Sequence, residues 1–573
     1  MVEMTRHRDT AAQRMLQLAG ELGVDYVFTN LGSDHPAFIE AFAHLDEMGA
    51  TMPEVIVCPH EMTALSAAHG YAMVTRRPQM VLVHVDVGTQ NLGCSIHNAA
   101  RGRVPAIIVA GLSPVTTSGE RSGSRTEFIH YTQDTTRQHE IGGQYMKWSY
   151  ELRASEMVEP VLLRGMQLAA TQPQGPVYLT GAREVWEEPV SAARPAPAMW
   201  SPPVLGELSS PDIACLHEAV VRAKRPLVIT TYLGRHPESA QLLGRLSELL
   251  GFAVCEVNPQ YLNFPGDHPH HVGYRRNAHV ADADLILMID VDVPWLFSKV
   301  EPAKDARLFH IDVDPIKPDL GFWHFPAEKS WCADSACVLR QWLAMAAGEE
   351  APGLAARRDW IARAKNASTP ARLPARTDDA IDAQELSSAI EALLDERTIV
   401  VFEAPTLTET LLSTLRMRRP GSYFANGGSG LGWGINAAIG IKMARPDADV
   451  ITVTGDGSYV FGVPSSAFWV AQTYGAPTLT IVNNNAGWNA PKQSTLLVHP
   501  DGVAKRRDRF WITTGAGARY ADIAAAASGA AAYKVQSRAA LLPALQEALA
   551  VVRAGRSAVV DVVTRPISRQ VLG

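Results

Sequence analysis

The chain has 573 residues, 47% of them hydrophobic, with a formal net charge of −7 and a sequence pI near 6.2. That length suits roughly three or four domains of ordinary size, and the apolar content can fill several cores. The mild acidic excess excludes a general nucleic-acid surface, and no run approaches the ~18 apolar residues of a membrane span. The six cysteines are scattered singly, without zinc-site spacing. They read as reduced thiols of a cytoplasmic chain, and the charged start lacks a signal-peptide core.

In chain order, Cys58-Pro59-His60-Glu61-Met62-Thr63-Ala64 leads into Ala67-Ala68-His69-Gly70-Tyr71-Ala72. Taken alone, Glu61 is a helix-start glutamate favoured by the helix dipole. Residues 187–211 are proline-rich and form a break. Residues 225–230 predict a strand, 281–290 pass from a helix end into a strand, and 308–315 predict the next. Ile311-Asp312-Val313-Asp314 closes that last strand, where a carboxylate suits a ribose. Tyr232-Leu233-Gly234-Arg235-His236 is a single-glycine turn, so the dinucleotide fingerprint is absent. Residues 347–380, with glycine, prolines and many charges, form a second break.

Residues 450–454 and 478–482 predict buried parallel strands, each ending in a polar turn. The first turn is Gly455-Asp456-Gly457-Ser458; the second is Asn483-Asn484-Asn485-Ala486-Gly487-Trp488. A βαβ unit places both at the carboxyl edge of one sheet, where α/β proteins bind ligands. Asp456, an asparagine of the triplet and the Gly487 carbonyl make an oxygen set suited to Mg²⁺. Gly455 and Gly457 allow close approach of a phosphate, and Ser458 can donate to it. A lone Gly-Asp-Gly would be an ordinary turn; the pair of turns reads as a Mg²⁺–diphosphate site.

This pair of turns resembles the signature of thiamine-diphosphate enzymes of the acetolactate synthase and pyruvate decarboxylase type. On that pattern the metal ligands are Asp456, Asn485 and the Gly487 carbonyl, with Asn483 on the strand end. The His60-Glu61 helix start and Gly70-Tyr71-Ala72 resemble the family's activating-glutamate motif. Glu61 is then the carboxyl that bonds the aminopyrimidine ring. Gly88-Thr89-Gln90-Asn91, Asn98 and Arg103-Val104-Pro105 match further segments, and Gln133 matches an active-site glutamine. Gly427 to Gly434 resembles the segment beneath the cofactor, with Leu431 as the wedge that bends it. The resemblance assigns cofactor contacts to Thr406, Ser429, Leu431, Gly457, Ser458 and Trp488. It implies three doubly wound parallel-sheet α/β domains, at 1–186 (pyrimidine-binding), 205–346 (central) and 380–560 (diphosphate-binding), then a tail at 561–573. It also implies a homodimer as the minimum active unit, with sites between chains, and a homotetramer as the expected assembly. In relatives the central domain binds FAD, binds ADP or stays empty, and ADP is the nucleotide the sequence favours here.

Substrate choice is less legible. Asp34 and His35, Gln133, and residues 488–493 should surround the reacting carbon. The Asn484–Lys492 loop and the front loop Asn30-Leu31-Gly32-Ser33-Asp34-His35-Pro36 are most similar to 2-hydroxyacyl-CoA lyases, notably the 2-hydroxyisobutyryl-CoA type. A carbon–carbon lyase yielding formyl-CoA is therefore expected; a 2-ketoacid enzyme and a non-catalytic homologue are the alternatives. An acyl-CoA needs cationic partners, for which Arg416, Lys505, Arg506 and Arg565 are candidates, with the tail as a lid. Gln493 stands where the resemblance expects a glutamate. An amide cannot exchange a proton at neutral pH. Either another base such as Asp34 or His35 serves, or Gln493 replaces a glutamate.

Overall fold

In the computed structural model, the residues described are 8–190, 197–275, 277–348, 351–368, 378–513 and 517–565. The first sheet comprises β1 (Tyr26–Asn30), β2 (Glu54–Val57), β3 (Gln79–Val83), β4 (Ala106–Leu112), β5 (Trp148–Leu152) and β6 (Pro176–Ala182), in the order β2-β1-β3-β4-β6-β5. The second comprises β7 (Pro226–Thr230), β8 (Ala253–Glu256), β9 (Leu285–Ile289), β10 (Arg307–Asp312) and β11 (Lys329–Cys332), in the order β11-β10-β9-β7-β8. The third comprises β12 (Thr398–Glu403), β13 (Tyr423–Ala425), β14 (Asp449–Gly455), β15 (Leu479–Asn484), β16 (Ala531–Val535) and β17 (Ala558–Val563), in the order β13-β12-β14-β15-β17-β16. Neighbouring strands within each sheet are parallel. The central strands are mostly apolar because helices cover both faces, and β3, β7, β9 and β12 are buried at every position.

The seams between the domains position the site. The helix Glu61–Thr75 of the first domain lies against the helix Gly434–Ala444 of the third. A Cβ on Gly70 would stand 2.1 Å from the Ala437 carbonyl oxygen, and one on Gly440 would stand 1.9 Å from that of Ala67. Only glycine lets the two backbones approach so closely. Between the first and central domains, Arg103 makes a two-pronged pair with Asp292 at 2.6 and 3.1 Å, and Lys317 joins it at 3.1 Å. Between the central and third domains, Ala425 N donates to Gln260 O at 2.9 Å, extending the β13 edge.

Two expectations need correction. The second break contains a helix, Leu354–Ser368, whose Trp360, Ile361 and Ala364 join the central core. Buried Arg357 donates to Leu250 O and to Val221 O at 2.6 Å, so a charge inside a helix serves as a backbone clamp. Asp312 is no ribose ligand either. It is fully buried and accepts from Lys317 Nζ at 2.6 Å, Tyr232 OH at 2.5 Å and Asp314 N at 2.9 Å. Gly234 serves packing, since a Cβ there would lie 2.2 Å from Leu262 O. Of the two carboxylates at that strand end, Asp312 is thus used by the fold itself.

Candidate active site

In the third domain, β14 delivers Asp456 and β15 delivers the asparagine loop side by side, with Gly455 opposite Asn483. Asp456 is 2% exposed; its Oδ1 accepts from Gly457 N at 2.9 Å and its Oδ2 from Gly487 N at 2.7 Å. Burial pushes its carboxyl up to about 6 despite those two donors. A bound cation would reverse that shift. The three asparagines divide their work. Asn483 Oδ1 accepts from Thr564, Asn484 Nδ2 donates to Asp561, and Asn485 turns into the loop. There Asn485 Nδ2 donates to Thr406 Oγ1 at 3.2 Å, and its Oδ1 accepts from Asn489 at 2.7 Å. Gly487, at φ 137°, takes a backbone conformation closed to other residues.

These residues fit a metal-bound diphosphate. The Trp488 indole lies directly over Gly457, where a Cβ would be 2.4 Å from its Nε1, and that buried Nε1 has no partner. A phosphate oxygen would satisfy it. Ser458 is buried beside it. Asp456 and Asn485 each keep an oxygen lone pair for a hard cation, while the Gly487 carbonyl accepts from Asn489 N at 3.0 Å and Asn489 Nδ2 at 3.2 Å, so a cation there would displace the Asn489 amide.

Loop 426–433 sits between this edge and a cavity of about 410 Å³. Asn98 grips the loop twice, accepting from Gly430 N at 2.9 Å and donating to Gly430 O at 3.0 Å. His97 reaches Gly428 O at 2.7 Å. Ser429 is held at φ 62°. Ser429 and Leu431 line the cavity together with Phe402, Ala404, Pro405 and Tyr423 of the third domain. The central domain contributes Val257, Pro259 and Val293 to the opposite wall. The acidic lining residues are Glu403 and Asp292, and the lining includes no lysine or arginine. Glu403 is buried and pushed up to about 8, so it is largely neutral.

The first domain supplies Glu61. It starts its helix, is 5% exposed, and accepts from Asn30 Nδ2 and Asn91 Nδ2, each at 3.0 Å. Gly88 passes so close that a Cβ would lie 3.2 Å from Glu61 Oε1 and 3.5 Å from His84 Cβ. His84 was not among the sequence candidates. The available signal was a histidine directly after the apolar strand β3, at the sheet's carboxyl edge and four residues before Gly88. Its Nδ1 lies 2.5 Å from Asp34 Oδ1 and its Nε2 lies 3.1 Å from Gln133 Oε1.

Asp34 and His35 are themselves sealed, at 2% and 0% exposure, so neither can replace a missing base at the reacting carbon. Gln493 lies half-buried on the helix Asn489–Val498. The basic candidates are dispersed and locally engaged. Arg416 is exposed beside Glu391, Lys505 and Arg506 contact Asp501, and Arg565 pairs with Asp378. Residues 566–573 of the expected lid lie outside the described residues.

Three family models match the chain: the N-terminal TPP binding domain of thiamine pyrophosphate enzymes over residues 9–141, their central domain over 213–327, and their C-terminal TPP binding domain over 406–562. Together these take in well over half of the sequence. The chain belongs to the thiamine pyrophosphate enzyme family. Among curated members it is similar to benzoylformate decarboxylase of Pseudomonas aeruginosa, 26% identical over 507 residues, or 82% of this chain and 84% of that one. It is also similar to the acetolactate synthase large subunit of Haemophilus influenzae, 23% identical over 509 residues, or 86% and 84% of the two chains. Among solved structures, a putative thiamin diphosphate-dependent enzyme from Mycobacterium smegmatis superposes with a TM-score of 0.78 at 22% identity, covering 98% of this chain and 100% of that one. The Rhodococcus jostii thiamine diphosphate-dependent 4-hydroxybenzoylformate decarboxylase gives 0.78 at 22%, covering 97% and 99%. These structures share the three-sheet fold. Among the described residues, no helix is long and apolar enough to cross a membrane.

Proposed function

We propose that this thiamine pyrophosphate enzyme is a carbon–carbon lyase that decarboxylates a 2-ketoacid bearing an uncharged, largely apolar side chain. The observation that carries this reading is the cavity of about 410 Å³ beside Leu431, whose wall joins Phe402, Tyr423, Val257, Val293 and Leu431 to uncharged polar groups and the acids Glu403 and Asp292, without a lysine or arginine. Its apolar side accepts an alkyl or aryl group, and the wall offers no cation to a phosphate. It also suits decarboxylation, because a localised carboxylate charge disperses as carbon dioxide leaves and an apolar surface favours the dispersed state. The two similar decarboxylases described above act on aryl 2-ketoacids by name.

Bound thiamine diphosphate supplies nucleophilic attack on the substrate carbonyl and storage of the electrons released by cleavage. Asp456, Asn485 and the Gly487 carbonyl would hold its metal, while Gly457, Ser458 and Trp488 would hold its diphosphate. Leu431, Ser429 and Thr406 would contact the rest of the cofactor. Glu61, oriented by Asn30 and Asn91, holds a proton for the aminopyrimidine. His84 presents Nε2 for proton exchange with the substrate oxygen. The hydrogen-bond partners of Glu61 all belong to the first domain and those of Asp456 to the third. The family resemblance alone supports a homodimer as the smallest active unit.

The second reading is the 2-hydroxyacyl-CoA lyase. It is favoured by the basic, aromatic-ended segment 505–511 after the metal loop, where Arg509 covers the exposed Trp511. The test supplies Mg²⁺ and thiamine diphosphate, then compares phenyl- and branched-alkyl 2-ketoacids with 2-hydroxyisobutyryl-CoA. Carbon dioxide and an aldehyde from the ketoacids are expected. Formyl-CoA from the thioester, with no carbon dioxide from any ketoacid, would replace this reading with the second.

A further inference from the structure

We propose that Asp34 and Gln133 are positioning residues that make His84 a one-sided proton carrier, with Nδ1 kept protonated by Asp34 and only Nε2 exchanging toward the site. The destination of that proton rests on the proposed function; the clamp on the ring does not.

Asp34 holds both the His84 ring and the backbone that follows it. Its Oδ1 lies 2.5 Å from His84 Nδ1, and its Oδ2 accepts from Val85 N at 3.1 Å. Val85 sits at φ 24°, a costly conformation for a β-branched residue, so the backbone turn that aims the ring is a constrained one. The second bond gives that turn a partner. Room for the clamp comes from two glycines. A Cβ on Gly111 would lie 1.9 Å from Asp34 Oδ2, and one on Gly32 would lie 2.0 Å from His84 Nδ1. The carboxylate is 2% exposed, while the His84 side chain keeps 18% exposure. The pair is therefore reachable only through the ring.

The charges around His84 agree. Burial alone would lower its affinity for a proton; the hydrogen bond and charge of Asp34 outweigh that, with Gln133 and Asp86 adding to them, and raise it above the ordinary histidine value. Burial also opposes ionisation of Asp34, and His35 and His84 counter it. His35 Nδ1 lies 3.1 Å from the same Asp34 oxygen, but it accepts from Gly32 N at 3.0 Å and burial disfavours its charged form, so His84 is the donor to that carboxylate. The Glu61 carboxylate lies near Gly88, which also borders the His84 Cβ.

Gln133 completes the device from the far side, 3.1 Å from Nε2. Its carboxamide presents oxygen to the imidazolium and, rotated by half a turn, an N–H to neutral imidazole. It can thus accompany the ring through both protonation states, which a carboxylate could not do.

The test is histidine NMR on the full-length apoprotein labelled with ¹⁵N and ¹³C at histidine, with His84→Gln assigning the signal. In the wild-type protein above the transition, the Nδ1–H tautomer is expected. Asp34→Asn should lower the His84 midpoint by about one unit or more, a tenfold loss of proton affinity. Once a substrate is in hand, the matching limb of the kcat/KM pH profile should move by the same amount. An Nε2–H tautomer, an unmoved midpoint, or a profile that ignores a moved midpoint would overturn the proposal. If Asp34→Asn does not fold, the wild-type tautomer decides. Failure of every 2-ketoacid to react would defeat the functional reading while the NMR result still judges the clamp.

Discussion

Replacing Gly440 with alanine should weaken the protein even though alanine is the better helix former. In a helix interior the exchange gains roughly 1 kcal/mol from backbone entropy. Against this, the new Cβ would stand 1.9 Å from Ala67 O and 2.7 Å from Tyr71 N. Both obstacles are backbone, so no rotamer change relieves them and the two helices must part by more than an ångström. Overpacking of this kind costs about 1–3 kcal/mol, and here the upper end applies. A net loss of about 2 kcal/mol is expected in equilibrium urea unfolding. Gly70→Ala, blocked at 2.1 Å by Ala437 O, should cost about the same. The double variant should lose less than the sum, because the first Cβ already parts the helices for the second. Gly244→Ala is the control: it lies in the helix Pro237–Leu250 and its Cβ would meet nothing within 4 Å. That variant should gain stability. The reasoning fails if Gly440→Ala and Gly244→Ala behave alike, or if the first pair adds fully.

Two further outcomes test the site and its support. Asp456→Asn should weaken Mg²⁺-dependent thiamine diphosphate binding by about 2 kcal/mol, the scale of a charged ligand contact; quenching of Trp488 fluorescence during titration reads it, and an unchanged affinity would remove Asp456 from the metal site. His69 is buried at the same helix crossing with both ring nitrogens unpartnered, and burial depresses it to about 3. The folded state keeps it neutral while the unfolded chain takes up a proton below about 6.5. Its contribution is therefore complete above about pH 6.5 and shrinks by about 1.4 kcal/mol per unit as pH falls toward 3. His69→Leu should flatten the loss of stability between pH 6.5 and 5; an equally steep loss would place acid sensitivity elsewhere.

Some parts were legible because a local pattern sufficed. Strands such as β14 and β15 announce themselves as apolar runs ending in polar turns, and the turns carry their chemistry in residue type. The triplet needed coordinates, since three identical side chains are separated only by where the strand ends. His84 escaped notice because its partners, Asp34 and Gln133, lie 50 and 49 residues away in the chain. Asp312 misled because a carboxylate at a strand's carboxyl end suggests a ligand, whereas Lys317 and Tyr232 claim it. The helix Leu354–Ser368 hid behind its charges: Arg357 looks like a solvent residue until the carbonyls it clamps are known.

The seams between domains also divide the molecule mechanically. Across the first, Arg103, Asp292, Lys317 and Asp312 form a chain of opposite charges, and Lys317 and Asp312 at its inner end are fully enclosed. The pair that crosses the seam is Arg103 with Asp292, at 12% and 24% side-chain exposure, and parting it strands two largely desolvated charges. Across the second, Arg275–Glu409 and Arg418–Asp267 lie in water, where separation costs little. The first domain is thus fastened on two sides, to the central domain by Arg103 and Asp292 and to the third by the glycine crossing of Gly70 and Gly440. Any breathing that admits substrate to the cavity is left to the border between the central and third domains, so the hinge and the door are the same seam.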